Sequence, residues 1–129
     1  SILWNKAREN KAKVEAIDKI KNAKQISEAE LKGAINVLFK GDQEKMLAIA
    51  NCENGSHTAD RTNTNKDGSK DRGILQINDF WHSKRVERLF NLPFVKAITD
   101  PAKNLVYGAI LHNEQENTSS WTCSKYVKG

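Results

Sequence analysis

Between Gly55 and Leu75 the chain changes character: Asn, Asp, Thr, Ser and Gly dominate, and Ala59 and Ile74 are the aliphatic exceptions. Such a stretch cannot supply the apolar stripe by which a helix docks, and its residues suit turns and short hairpins. The sequence on either side has helical texture. The 129 residues are therefore expected to form a mostly helical chain with one polar β-insert, in the α+β class. No internal repeat, low-complexity segment or Pro/Gly/Ser linker interrupts it. Residues 1–129 read as one domain, with a helical N-terminal segment (1–45) and a motif-bearing part (46–129).

Helix signals are local and specific. Trp4, Ala7, Val14, Ile17 and Ile20 recur at intervals compatible with one stripe of a long basic helix, expected to pack on the domain. Ser27 and Glu30 form a capping box ahead of Leu31, Ala34, Ile35, Leu38 and Phe39, and this second helix should end near Gly41. Asp42 is placed to cap a third helix, with Met46, Leu47, Ile49 and Ala50 inward, Glu53 in its last turn and Gly55 beyond it. Helical texture returns after Ile77 in FWHSKRVERLF. It resumes after Pro93 at Asp100-Pro101, with Leu105, Ala109 and Ile110 inward.

Charge and composition exclude several classes. The net charge of +5, from 21 basic and 16 acidic residues, is spread along the chain. It would suit an anionic polymer such as a bacterial wall through long-range attraction, and nucleic acid no better or worse, so charge alone decides nothing. Aromatics are not interleaved with clustered Lys and Arg, so nucleic acid is not the expected partner. No apolar run approaches the roughly 20 residues a bilayer-spanning helix needs, so membrane insertion is not expected. The N-terminal residues lack a signal-peptide pattern, which fits either a removed leader or none. His57, His82 and His112 have no ligand spacing, so neither a metal nor a cofactor is expected. Each histidine reads as a surface or packed residue.

The stretch Asn63–Asn78 carries the most information. Asn63, Asn65 and Asp67 followed by Gly68 imitate the first half of an EF-hand loop. The position that should supply a bidentate glutamate is Ile74, which removes much of a calcium site's charge. Asp67-Gly68 is a strong turn signal on its own. Beyond it, polar Gln76 and Asn78 alternate with apolar Leu75 and Ile77, which predicts both polar side chains on one face of one strand.

The run N-x-N-x-D-G-S-x-D-x-G-I-L-Q-I-N, at Asn63, Asn65, Asp67, Gly68, Ser69, Asp71 and Gly73 to Asn78, resembles the β-hairpin of chicken-type lysozymes. Upstream, Ala50-Asn51-Cys52-Glu53-Asn54-Gly55 is similar to the A-x-x-E-S-G motif of lytic transglycosylases and goose-type lysozymes, whose glutamate is the catalytic acid. Asp100-Pro101 with Asn104, and then Trp121, look like the closing helices of that superfamily. The likeness covers about residues 46–126. Departures are the presence of two cysteines where chicken-type lysozymes use a larger set, and the absence of the A-Y-N-A-G helix motif. The mixture points to the bacterial or phage branch.

The resemblance implies a lysozyme-like fold in which a small antiparallel β-hairpin lines a glycan cleft. It implies cleavage of the β-1,4 bond between N-acetylmuramic acid and N-acetylglucosamine in peptidoglycan, by a muramidase or a lytic transglycosylase. Glu53 would be the acid. From the residues alone, a carboxyl at a helix C-terminus behind an apolar turn is disfavoured as an anion, while an exposed glutamate is the plain alternative. Asp71, in a polar strand, would stay ionised and support an oxocarbenium-like centre. The resemblance further implies that Asn65, Gln76 and Asn78 contact the sugar and that Trp81 or Trp121 offers it a flat surface. Core packing is the other reading of each tryptophan.

Cys52 and Cys123 match neither zinc nor CxxC spacing and leave open two buried thiols or one disulfide. The resemblance implies a Cys52–Cys123 bond, and with it a secreted, periplasmic or wall-associated monomer acting on glycan strands. A glycan-binding module that keeps the cleft without catalysis is the alternative from a different class.

Overall fold

The computed structural model describes residues 1–127. Among these residues are six helices and a three-stranded sheet: α1 (Ile2–Asp18), α2 (Glu28–Leu38), α3 (Gln43–Glu53), β1 (Thr62–Thr64), β2 (Lys70–Arg72), β3 (Ile77–Asn78), α4 (Asp79–Phe90), α5 (Phe94–Ile98) and α6 (Pro101–Gln115). A 3₁₀ turn at Thr122–Lys125 follows. Helices and a small antiparallel sheet give the expected α+β class.

The capping box forms: Ser27 Oγ accepts from the Glu30 amide at 3.0 Å and Glu30 Oε1 from the Ser27 amide at 2.9 Å. Asp42, in contrast, makes no side-chain cap on α3. Its carboxylate is drawn 2.7 Å from Nε2 of His112, which is buried, so a tertiary partner outcompetes the local one. Asp100 does cap α6, accepting from the Ala102 amide, and also receives the Asn22 amide at 2.9 Å.

The N-terminal stripe is a correction. Trp4 is 63% and Val14 56% exposed, and no residue of α1 is buried. The helix does lie against α2, and grooves run between them, one bordered by Ala12, Asn36 and Val37 and another by Ala16, Ala29 and Gly33. Helix periodicity identifies a face without saying what it meets. Only Ile17, partly buried, and Ile20, just past the helix end and fully buried, join the core.

The core runs from Ile20 through α2, α3 and α6 to Trp121 and Cys123. Helix α6 is its axis, burying Leu105, Tyr107, Ala109, Leu111 and His112 around its circumference. Ile110, expected inward, is only partly buried. Close approach to the β-region is possible because residue 108 is glycine: a Cβ there would stand 2.3 Å from Leu75 Cδ1.

Cys52 and Cys123 are joined in a disulfide, with Cα atoms 6.1 Å apart and a sequence separation of 71. It ties the end of α3 to the terminal 3₁₀ turn. Breaking it should cost about 2–4 kcal/mol by releasing a long loop in the unfolded chain. Urea unfolding with and without reductant measures this, and coincident curves would show that the bond adds nothing.

The strands order as β1-β2-β3, all antiparallel, with Asn63 opposite Asp71 and Asp71 opposite Asn78. The predicted turn at Asp67-Gly68 closes β1 onto β2. Asp67 Oδ1 accepts the Ser69 amide at 2.9 Å and its hydroxyl at 2.6 Å, and Gly68 takes φ +85°. The predicted strand carrying Gln76 and Asn78 on one face does not form as such, because only Ile77–Asn78 is extended. Gly73 (φ +84°) and Gln76 (φ +53°) turn the chain between β2 and β3, and Ile74 and Leu75 are both fully buried inside that turn. Alternation failed because consecutive apolar residues enter the core together, which a pleated strand cannot arrange.

Candidate active site

Glu53 is the last residue of α3, and Asp71 is the middle of the central strand. The two carboxylates border one cavity of about 300 Å³. Asn65, Gln76, Asn78, Trp81 and Trp121 line it too, so every side chain singled out for catalysis or sugar contact falls on one concave surface.

Glu53 is partly buried. Desolvation first, and repulsion from Asp71 second, raise its pKa from 4.5 to about 7. The amide of Cys123 and the charge of Arg61 act in the opposite sense. At neutral pH a sizeable fraction of Glu53 therefore retains its proton, as a general acid must.

The next residue, Asn54, anchors the acid. Fully buried, it donates to the Thr58 carbonyl at 2.7 Å and to the Gly73 carbonyl at 3.2 Å, while its own oxygen accepts from Ser56 and Thr58. The helix end is thereby joined to the β2–β3 turn. Asn104 holds the other side of that turn, donating to the Arg72 and Ile98 carbonyls and accepting the Leu75 amide at 2.9 Å.

The polar residues of the sheet are largely committed to one another. Asn78 donates to Asp71 Oδ1 and to Ser69 Oγ, each at 2.9 Å, and its oxygen accepts the Trp81 amide at the start of α4. It orients Asp71 and caps a helix, and little of its amide is left for a sugar. Asn65 donates to Ser69 Oγ at 3.1 Å. Gln76 is gripped by the Arg61 and Gly73 carbonyls and by the Asn63 amide, which over-determines its left-handed backbone. Gln76 and Asn78 reach the same cavity, but from a turn and a strand and not from one strand face.

The tryptophans divide. Trp81 is 81% exposed at the rim, with its ring face free. Trp121 is 4% exposed, donates its indole N–H to the Leu75 carbonyl at 3.1 Å and packs edge-on to Phe39. It borders the cavity as part of the core, and the flat exposed surface belongs to Trp81.

The cavity also includes His82, Leu111, Ser120 and Thr122, which the sequence reading left out. The adjacency of His82 to Trp81 is the one local sign of its place. Among the described residues, no group of three or more His, Cys, Asp and Glu side chains is disposed to hold a metal. No helix among them is long and apolar enough to cross a membrane.

No family model matches the chain. Two curated relatives share part of it: Protein IpgF of Shigella flexneri and Protein IpgF of Shigella sonnei. Each is 43% identical over 69 residues, which cover 54% of this chain and 43% of the relative. The chain thus spans less than half the length of either.

Proposed function

We propose that the protein cleaves the β-1,4 bond between N-acetylmuramic acid and N-acetylglucosamine in bacterial peptidoglycan, as a muramidase or lytic transglycosylase with a lysozyme-like cleft. The observation that carries this reading is a partly buried Glu53, its pKa raised to about 7 by desolvation and by Asp71, sharing one polar cavity with that aspartate. Glu53 protonates the glycosidic oxygen as its bond to the anomeric carbon breaks. The charge of Asp71, oriented by Asn78, stabilises the cation that develops.

Two fates of that centre are open to the same acid. Water can add, its proton passing to Glu53, or the C6 hydroxyl of the same muramic acid can close a 1,6-anhydro ring with Glu53 as base. The products differ by one water. The exposed face of Trp81 suits a pyranose ring, and the net positive charge favours retention on an anionic wall. The disulfide is of the kind that persists in oxidising compartments, in keeping with action in the periplasm, the wall or outside the cell.

Mass spectrometry of soluble fragments from purified peptidoglycan, with this protein and its Glu53→Gln variant, tests the proposal. Reducing-end muropeptides from the unaltered protein alone mean hydrolysis, and 1,6-anhydro ends mean transglycosylation. Absence of fragments from both forms would refute cleavage and leave a glycan-binding module.

The pH profile is a separate prediction. Activity should be greatest where Glu53 is protonated and should fall as pH rises through about 7. A rate that stays level to pH 9 would remove Glu53 from the acid role.

A further inference from the structure

His82 stands in the first turn of α4 beside Trp81 and borders the cavity that contains Glu53 and Asp71. Its Nδ1 lies 2.7 Å from the Tyr107 hydroxyl, and the two rings meet edge to face with centroids 5.3 Å apart. Tyr107 is fully buried. The guanidinium of Arg85 comes within 5.9 Å of the Tyr107 ring centre and is itself fixed by a two-point pair with Glu114.

Burial determines where the protons sit. The Tyr107 hydroxyl is sealed from water and makes no other hydrogen bond among the described residues, so its one proton has His82 Nδ1 as its acceptor. A neutral imidazole whose Nδ1 accepts a hydrogen bond carries its hydrogen on Nε2. Burial, and then the positive charge of Arg85, lower the His82 pKa from 6.5, which keeps the ring neutral at pH 7. Nε2 makes no hydrogen bond among the described residues and is not sealed in the core. The buried Tyr107 hydroxyl thus spends one ring nitrogen on the protein and leaves the other, as a donor, for the cavity.

We infer that His82 is a substrate-contacting residue whose Nε2–H donates to an uncharged oxygen, hydroxyl or acetamido carbonyl, of the pyranose resting on Trp81. The inference rests on the glycan reading above and adds a specificity element to it. A flat apolar surface with a neutral donor at its edge selects a sugar ring by the position of one acceptor oxygen.

Imidazole ¹⁵N NMR on the Glu53→Gln protein tests this, with a β-1,4 tetrasaccharide of alternating N-acetylglucosamine and N-acetylmuramic acid as probe. The free protein should show His82 as the Nε2–H tautomer. On titration its Nε2 signal should shift in step with the Trp81 indole. His82→Phe should weaken binding about 10-fold, the scale of one net hydrogen bond. His82→Gln, whose amide nitrogen takes the approximate place of Nε2, should stay within about 3-fold.

An Nδ1–H tautomer would overturn the inference. So would a Trp81 signal that moves while Nε2 does not, or Phe and Gln variants that weaken alike; in both cases the glycan reading would stand. A tetrasaccharide that moves neither signal, with the Nε2–H tautomer present, would bring down the glycan reading and the His82 contact with it.

Discussion

Glu53→Gln should lower muropeptide release by about 10²- to 10⁴-fold, the usual contribution of a positioned general acid. The substitution keeps the shape of the side chain and removes only its transferable proton, so the far-ultraviolet circular dichroism should not change. Stability gives an independent check on the same carboxyl. The Glu53 pKa is raised on folding, so its contribution is complete below its ordinary value of 4.5 and is lost as pH rises through about 7. Unfolding midpoints measured from pH 4 to pH 8 should therefore fall less steeply in the glutamine variant than in the unaltered protein. Parallel profiles would mean that Glu53 is not held protonated by the fold, and undiminished turnover would end its assignment as the acid.

Gly73→Ala should be the most destabilising single change in the β-region. At φ +84° a Cβ is disfavoured by roughly 1–2 kcal/mol. Here it would also lie 2.3 Å from Asn104 Nδ2 and 2.7 Å from the Ile98 carbonyl. Overpacking of that kind adds about 1–3 kcal/mol, so a total near 2–5 kcal/mol is expected in urea unfolding. Gly68→Ala separates the two contributions: its φ of +85° is similar, but nothing lies within 4 Å of the added carbon. Equal losses at both positions would show that the clash at Gly73 relaxes without cost.

Much of this was legible because it is local. The Ser27–Glu30 capping box, the Asp100 cap and the Asp67-Gly68 turn each depend on residues within three positions of one another, and each forms. The gathering of Glu53, Asp71 and the hairpin side chains followed from motifs in a familiar order. The failures share a different cause. Asp42 gave up its cap for His112, 70 positions away. The α1 stripe named a face but not its neighbour, and alternation from Leu75 to Asn78 concealed a turn that inserts two apolar residues into the core. His82 owes its role to Tyr107, 25 positions on, with no pattern in the chain to announce it.

The Gly73 carbonyl receives Asn54, the neighbour of Glu53, and also Gln76, while the Gly73 amide reaches the Arg61 carbonyl at 2.8 Å. The end of α3 and the strand bearing Asp71 are therefore clamped to the same residue. The separation of Glu53 and Asp71 is thereby tied to the hydrogen bonds of one glycine. On the proposed reading, choice between water and the C6 hydroxyl would be set at this shared anchor, with adaptation to different glycan strands left to the exposed Trp81 rim. If that reading holds, loosening the clamp at Gly73 would change the ratio of the two products.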